Sequence, residues 1–316
     1  LHNIALERMG VNPSDGFVLN KVRKIGFVMP DDKIIHIELK HLYAVIIDKT
    51  ALTNIYAEKA QQYGAELRLN SKVVKYNHTK GTVFVTGRSG SYIIRSKVII
   101  DASGCNTRMA RDAGLVPPLK KTDICLTSQY VVEHPDIVGD ELFLDFDQQT
   151  TPCGYLWQFP ICDGVARIGD GVCNHSYNPK KIVESFINEK YPNAKLSNYI
   201  SAPIPLAKPL EHLVYDKVML VGDNARMVLS ASGAGNGTAY RSGQVAGDTA
   251  GLFVRNTCDD LTKYERIIKD EFYKKLLNSY KIKTKLLKNG NRAIYRLYRM
   301  LIPFKWIHRM FPVSYT

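Results

Sequence analysis

A glycine-rich strand–turn–helix segment constrains the fold of this chain more than any other feature. The apolar run 218–221 ends in Gly222-Asp223, and the run Ser232–Gly237 precedes a predicted helix over 238–254. A glycine at a strand end lets a ligand approach the backbone without meeting a Cβ atom. A helix N-terminus favours an anion or an electron-rich oxygen. The segment therefore predicts a ligand-binding edge of an α/β sheet, although glycines that only form turns would give the same pattern.

The rest of the chain alternates short β-rich runs with a few helical patterns. Apolar residues at helical spacing, followed by Gly64, predict a helix over 50–64. The run KVIIDASG is continuously apolar and predicts a strand buried on both faces. The remaining predictions are an antiparallel set of strands over 22–47, a small β-meander over 65–96, mostly antiparallel strands over 117–210 with a short helix over 179–193, and helices from about Leu261 onward.

Three motifs, in one order along the chain, carry a family resemblance. They are KVIIDASGCNTRMARDAG, then TPCGYLWQFP, then VMLVGDNAR with SGAGNGTAYRSGQVAG. Together they resemble the geranylgeranyl reductase family within the hydroxylase-like FAD superfamily. The resemblance implies an α/β (α+β) fold: a Rossmann-like FAD-binding domain of the p-hydroxybenzoate-hydroxylase type, an inserted antiparallel β-sheet substrate domain and a helical C-terminus.

The resemblance also implies a role for individual residues. Gly222 and Asp223 would hold the ribityl and pyrophosphate part of FAD, and Lys49 stands where the family usually has an arginine near the phosphates. The other residues implied in cofactor binding are Val73, Ser103, Gly104, Gly233, Gly235, Asn236 and Gly237. Ser103 replaces the usual aspartate of an Asp-Gly pair, which indicates a divergent subgroup.

The aromatic segment of the second motif is the predicted substrate side. Tyr155, Trp157 and Phe159 alternate, so on a strand they share one face. An isoprenoid chain offers only apolar and π surface, which such a face would contact; a strand that contributes its aromatics to the core is the alternative. Pro152 and Pro160 complete the substrate residues that the resemblance implies. No catalytic acid can be named, and Tyr155 is only a weak candidate.

The superfamily opens with a βαβ unit whose GxGxxG motif binds the FAD pyrophosphate. The 316 residues contain no GxGxxG, and the resemblance begins close to Leu1. We therefore expect a chain from which about fifty residues of that unit are missing, as in a fragment or truncated gene. Weak or absent FAD binding, in a non-catalytic lipid-binding paralogue, is the corresponding alternative.

The net charge of +13 is concentrated at the C-terminus. The stretch from Phe272 to Thr316 carries eleven basic and no acidic side chains. Over 291–302, apolar residues at helical spacing alternate with arginines, and aromatic residues follow, which predicts a basic amphipathic helix suited to an anionic membrane surface. A packed helical layer with a solvated basic face is the alternative. No nucleic-acid-binding module accompanies the charge.

The six cysteines form no CxxC pair, so we expect reduced thiols and no metal site. The sequence shows no transmembrane run and no signal peptide, which favours a cytoplasmic protein, peripheral on the membrane. The predicted domains are FAD-binding (1–116 and 211–258, with 22–47 adding strands to the substrate sheet), substrate-binding (117–210) and a basic helical region (259–316).

The resulting functional hypothesis is an FAD-dependent reductase that saturates geranylgeranyl double bonds of lipids. An external donor, reduced ferredoxin or an NAD(P)H system, would supply electrons, since no NAD fingerprint is visible. A flavin monooxygenase or halogenase on the same scaffold is the enzymatic alternative.

Overall fold

The computed structural model describes residues 9, 11, 14, 16–29, 34–39, 44–88, 90–105, 108–147, 149–151, 154–258, 260–290 and 313–314. The strands are β1 Val18–Val22, β2 Lys24–Val28, β3 Ile34–Leu39, β4 Ala44–Ile47, β5 Lys72–Asn77, β6 Thr82–Gly87, β7 Gly90–Arg95, β8 Ile99–Asp101, β9 Ile124–Glu133, β10 Glu141–Asp145, β11 Gly154–Cys162, β12 Val165–Val172, β13 Lys195–Pro205, β14 Val214–Tyr215, β15 Val218–Leu220 and β16 Val313–Ser314. The α-helices are α1 Lys49–Gln62, α2 Arg108–Asp112, α3 Pro179–Lys190, α4 Asn236–Val254, α5 Thr262–Ile268 and α6 Lys274–Asn289.

The chain forms two compact units. The first comprises Leu1–Tyr56, Cys125–Pro203 and Thr284–Thr316; the second comprises Ala57–Ile124 and Ile204–Lys283. The mixed α/β class expected from the sequence is confirmed. The boundaries predicted at 116, 210 and 258 stay a prediction, and the predicted amphipathic helix over 291–302 lies outside the described residues.

The first unit is built on an eight-stranded sheet with the order β13-β9-β12-β11-β10-β2-β3-β16. Its central pairs are antiparallel, except that β10 and β2 run parallel. The strands over 22–47 do not form the single antiparallel set that the sequence predicted. Instead β2 and β3 join the large sheet, while β1 and β4 pair in a separate two-stranded sheet. The difference arises because β2 finds its second partner in β10, far along the chain.

The two faces of this sheet differ in burial. On β11, Leu156, Gln158 and Pro160 are buried, whereas the alternating aromatic residues are only half-buried. Helix α3 covers the buried face, where Val183 and Ile187 pack in one cluster with strand residues. The α3 helix begins at its N-cap Asn178, whose side chain accepts the Lys180 N–H at 3.0 Å. The opposite face carries the half-buried aromatic residues; its Phe159 end packs against Val22 and Ile46 of the β1–β4 pair, and the rest of that face is available to a ligand.

The second unit contains the glycine-rich segment. Strands β15 and β8 pair in parallel, β14 flanks β15, and β5, β6 and β7 form the predicted antiparallel meander. The β15 residues are fully buried. The expectation for β8 is wrong on one face, because the Ile100 side chain is 39% exposed. That face borders the open cavity described below rather than a second layer of described residues.

A continuous helical stretch completes the second unit. Helix α5 passes through a π-helical turn, Lys269–Tyr273, directly into α6. On α6 the Lys283 ammonium is buried and binds the Asp123 carboxylate at 3.0 Å and the carbonyls of Thr122 and Leu206 at 3.0 and 2.7 Å. This lysine ties α6 to the segment that leads into β9. Within the described chain, no helix has the length and apolarity needed to cross a membrane.

Candidate functional site

The glycine-rich segment forms a strand end, a tight turn and a helix start. Gly222 follows β15 with φ +59°, a conformation that favours glycine, and its N–H donates to the Ser242 hydroxyl at 3.0 Å. Asp223 faces the next glycine-rich turn, since a Cβ at Gly235 would lie 3.5 Å from Asp223 Oδ1. No side chain caps the first turn of α4, so its leading N–H groups are available to a ligand.

The glycine-rich turn before α4 has open space beside Gly237 but is closely packed beside Gly235. A Cβ at Gly237 would meet no atom within 4 Å, whereas at Gly235 it would contact Val228 at 3.2 Å. Gly233 has φ +69°. Asn236 starts α4 and is exposed. The structure therefore brings together six sequence-predicted positions, from Gly222 to Gly237, in one loop cluster.

An open cavity of about 550 Å³ lies beside β8 in the same unit. Val73 and Ser103, two of the predicted cofactor residues, both line it, together with the exposed Ile100. Lys72 and Arg108 place positive charge at its lining. Gly104 follows directly with φ +72°. The cavity thus combines apolar walls, backbone edges and cations.

Buried polar groups lie at the ends of β8 and β15. Asp101, 5% exposed, accepts the Ser103 N–H at 3.1 Å. Burial and the nearby Asp101 carboxylate raise the pKa of Tyr76 well above its usual value. Asn224 is fully buried, donates to the Asp101 carbonyl at 3.4 Å, and leaves its Oδ1 without a partner among the described residues. Orphaned acceptors of this kind are expected where a ligand or water completes the bonding.

Lys49 lies in the first unit, at the exposed start of α1. The helix is capped by Asp48, whose Oδ1 accepts the N–H groups of Thr50 and Ala51 at 2.8 and 3.0 Å. The other nine predicted cofactor residues belong to the second unit.

A row of aromatic rings crosses the half-buried face of the large sheet. Phe27 contacts Phe146 at a centroid distance of 6.2 Å, Phe146 contacts Tyr155 at 5.3 Å, Tyr155 contacts Trp157 at 5.8 Å, and Trp157 contacts Phe159 at 6.2 Å. We call these five rings the aromatic row. Three were predicted as substrate residues; Phe27 and Phe146 were missed, although Phe146 continues the apolar alternation of ELFLDF.

Two neighbouring strands fix the Trp157 ring of the aromatic row. Trp157 lies flat over Gly169, where a Cβ would come within 2.5 Å of the indole. Its Nε1 donates to Gln129 Oε1 on β9 at 3.1 Å. Pro160 faces the other side of the sheet and is buried. Pro152 lies outside the described residues.

A buried acid lies on the opposite face of β12, between Gly169 and Gly171. Asp170 is fully buried, and burial raises its pKa to about 8, with a smaller effect of Asp145. Neither carboxylate oxygen has a full hydrogen bond to a described residue. The pKa of Tyr155 is also raised, by burial and by the charges of Cys125 and Asp170. Both groups therefore keep their protons at neutral pH.

Comparison with known proteins identifies part of this sheet. Residues 123–204 match the family model of the geranylgeranyl reductase catalytic domain. The match spans β9 to β13, and so includes four rings of the aromatic row, all except Phe27.

The curated relatives extend the similarity to most of the chain. A digeranylgeranylglycerophospholipid reductase of Methanococcus aeolicus is 27% identical over 301 residues, which cover 92% of this chain and 76% of the relative. A second reductase of that name, from Methanopyrus kandleri, is 27% identical and covers 78% and 67% of the two chains.

Solved structures agree on the fold. A geranylgeranyl bacteriochlorophyll reductase-like protein of Thermoplasma acidophilum superposes with a TM-score of 0.82, at 24% identity, covering 94% of this chain and 79% of the other. A flavin-dependent brominase variant gives a TM-score of 0.69 at 16% identity, with 96% and 81% covered. The motifs, the family model and the curated relatives agree: residues 123–204 match the geranylgeranyl reductase catalytic domain, and the chain is similar over most of its length to digeranylgeranylglycerophospholipid reductases.

Proposed function

We propose that this protein is an FAD-dependent reductase that saturates isoprenoid double bonds of lipids, with digeranylgeranylglycerophospholipids as the substrate class. One observation carries the proposal: the part of the chain that matches the reductase catalytic domain holds most of the aromatic row on the open face of its sheet. Aromatic and apolar surface is what a polyprenyl chain can contact.

The residues of the second unit fit part of an FAD molecule. The free N–H groups at the start of α4 suit the electron-rich edge of a flavin ring, and Asp223 suits ribityl hydroxyls. Gly222 and Gly237 leave the backbone accessible. We assign the nucleotide half of FAD to the cavity beside β8, which Val73 and Ser103 line and which Gly104 follows directly in the chain. The unpartnered Asn224 Oδ1, buried beside the Asp101 carbonyl, is consistent with a bound ligand or water next to that carbonyl.

FAD, when bound and reduced, supplies a hydride to an alkene carbon. The chain itself would orient the alkene along the aromatic row and exclude water from it. A proton must reach the second alkene carbon. Tyr155 is the candidate donor, because its raised pKa keeps the hydroxyl protonated, and its ring lies within the aromatic row.

The reaction is tested by mass spectrometry with reduced flavin under anaerobic conditions. We expect each saturated double bond of a digeranylgeranyl phospholipid to add two hydrogens. An oxygen-dependent product that gains an oxygen atom, or a halogen, would instead support the monooxygenase or halogenase alternative. Absence of flavin absorbance from the purified protein, even after incubation with FAD, would contradict the cofactor assignment.

The aromatic row is tested with a matched pair of variants. Trp157→Leu should lower kcat/KM about tenfold, because losing an aromatic contact costs on the order of 1.4 kcal/mol. Tyr177→Leu changes a 45% exposed aromatic residue outside the row and should leave kcat/KM unchanged. Equal activity of the two variants would remove the row from substrate binding.

We further propose peripheral membrane contact through the basic C-terminus, and an external electron donor such as reduced ferredoxin or an NAD(P)H system. Within the described residues, α6 carries exposed lysines and no acidic residue, for example Lys274, Lys281 and Lys285. Binding to anionic liposomes should weaken at high salt and on deletion of residues 291–316. Undiminished binding of the deletion variant would contradict the membrane proposal.

A further inference from the structure

An arginine lies at one end of the aromatic row, on the same face of the sheet. In the antiparallel ladder, Arg167 on β12 pairs with Phe159 on β11 and with Val131 on β9. Paired residues in such a ladder share a face. Arg167 is half-buried, like the rings beside it. This face of the sheet therefore combines an apolar row with a cation next to its last ring, at the end where Phe159 packs against the β1–β4 pair.

The Arg167 guanidinium is held in place but not neutralised. Its Nη1 donates to the Ile47 carbonyl at 2.7 Å. This is the one hydrogen bond that the Arg167 side chain makes to the described residues. Burial lowers the pKa of Arg167, and the Asp48 charge opposes this only in part. The Asp48 carboxylate already accepts two N–H groups at the start of α1. No described acidic side chain lies within 4 Å of the guanidinium.

The buried lysine of the other unit shows how this chain satisfies a cation that has only a structural role. Lys283 has a carboxylate and two carbonyls around its three donors. Arg167 has five N–H donors, and among the described residues one of them finds an acceptor. A partly desolvated cation without a counter-charge is costly, and the missing partner would be an anion that arrives with a ligand.

The chemistry of that ligand follows from the neighbours of Arg167. A planar guanidinium binds phosphate through two parallel hydrogen bonds. The adjoining rings bind an apolar chain. We propose that Arg167 binds the phosphate group of a phosphorylated isoprenoid lipid whose chain lies along the aromatic row, so that Arg167 selects anionic over uncharged substrates. The inference rests on the proposed function, to which it adds a head-group site.

The test compares two ligands that share one chain and differ in charge, geranylgeranyl diphosphate and geranylgeraniol, using the full-length protein loaded with FAD. Arg167→Gln should weaken binding of the diphosphate at least about tenfold, measured calorimetrically, and raise its KM with little change in kcat. Binding of geranylgeraniol should be unchanged. Arg167→Lys should restore part of the affinity. Arg255→Gln, at an exposed arginine after α4, is the control and should match the wild type.

Several results would overturn the assignment. Equal loss of both ligands would make Arg167 a packing residue, and unchanged diphosphate binding would exclude it from the head-group site. Loss of flavin absorbance in Arg167→Gln alone would assign the cation to a cofactor phosphate. One result would instead support the assignment: millimolar inorganic phosphate should compete with the diphosphate and weaken its binding to the wild type, while binding of geranylgeraniol stays the same. Because binding is measured without turnover, failure of the reductase reaction would contradict the proposed function while the binding comparison still decides the role of Arg167.

Discussion

The buried Asp170 should make the stability of this protein fall as pH rises. Its folded-state pKa of about 8 lies above the value of 3.8 for a free aspartate. Between these values the unfolded chain has lost the proton while the folded chain keeps it, so the unfolded state binds fewer protons. The free energy of unfolding then decreases by about 1.4 kcal/mol per pH unit, or roughly 4 kcal/mol from pH 4 to pH 7.

The substitution Asp170→Asn isolates this contribution because it keeps the shape and removes the titration. Near pH 4.5 the variant should be more stable than the wild type by only about 1 kcal/mol, since this pH lies just above the pKa of the unfolded aspartate. By pH 8 it should be more stable by several kcal/mol. Urea denaturation followed by circular dichroism at pH 4.5, 6, 7 and 8 gives the difference, in which the titration of all other groups cancels.

A control variant and a contradicting result can both be stated for the pH dependence assigned to Asp170. Asp248→Asn changes an exposed aspartate on α4 and should leave the pH profile of stability parallel to that of the wild type. If the stability difference between Asp170→Asn and the wild type stayed constant from pH 4.5 to 8, the carboxyl would have the same pKa in both states. The inference of an isolated, protonated acid in the sheet would then be wrong.

Three further substitutions test other parts of the fold. Lys283→Met should destabilise the protein by about 3–5 kcal/mol in urea denaturation, because it leaves the buried Asp123 without its counter-charge; a loss below about 1 kcal/mol would contradict this. Gly169→Ala should displace the Trp157 indole and shift its fluorescence emission, since the new Cβ would lie 2.5 Å from the ring; an unchanged spectrum would count against the packing. Tyr264→Phe removes a buried 2.6 Å bond to a β15 carbonyl and should cost about 1 kcal/mol in the same denaturation assay, whereas a neutral result would show that the carbonyl finds another donor.

The sequence was sufficient for elements whose signals are local. The helix over 50–64 was predicted from apolar spacing and Gly64, and the structure places it at Lys49–Gln62. The alternating aromatics of YLWQFP predicted a shared face because a strand has a period of two residues. The order of the three motifs along the chain was enough to predict the fold class.

The features that the sequence did not predict depend on register between distant strands. Nothing near Arg167 indicates that its guanidinium meets the Ile47 carbonyl, 120 residues earlier. The run VARIGDGV predicts a strand, but only the pairing with β11 shows that Asp170 and Trp157 lie on opposite faces. The exposure of Ile100 was missed because a continuous apolar run is typical of a strand covered on both sides.

The π-helical turn between α5 and α6 determines which side of α6 faces inward. Counting about 100° per residue from Tyr264, an uninterrupted α-helix would place the buried Leu276, Ser279 and Lys283 about 60–120° away from it. The π-helical turn absorbs one additional residue, which is equivalent to about 100° of rotation. The directions of Leu276, Ser279 and Lys283 therefore come to within about 40° of the Tyr264 direction. Forcing the same residues into an uninterrupted α-helix would turn the Lys283 ammonium by about 100°, away from Asp123, whereas deleting one residue from Lys269–Tyr273 would remove the wide turn and keep Lys283 facing inward. The buried ion pair of this unit is thus a consequence of helical phase as much as of residue type.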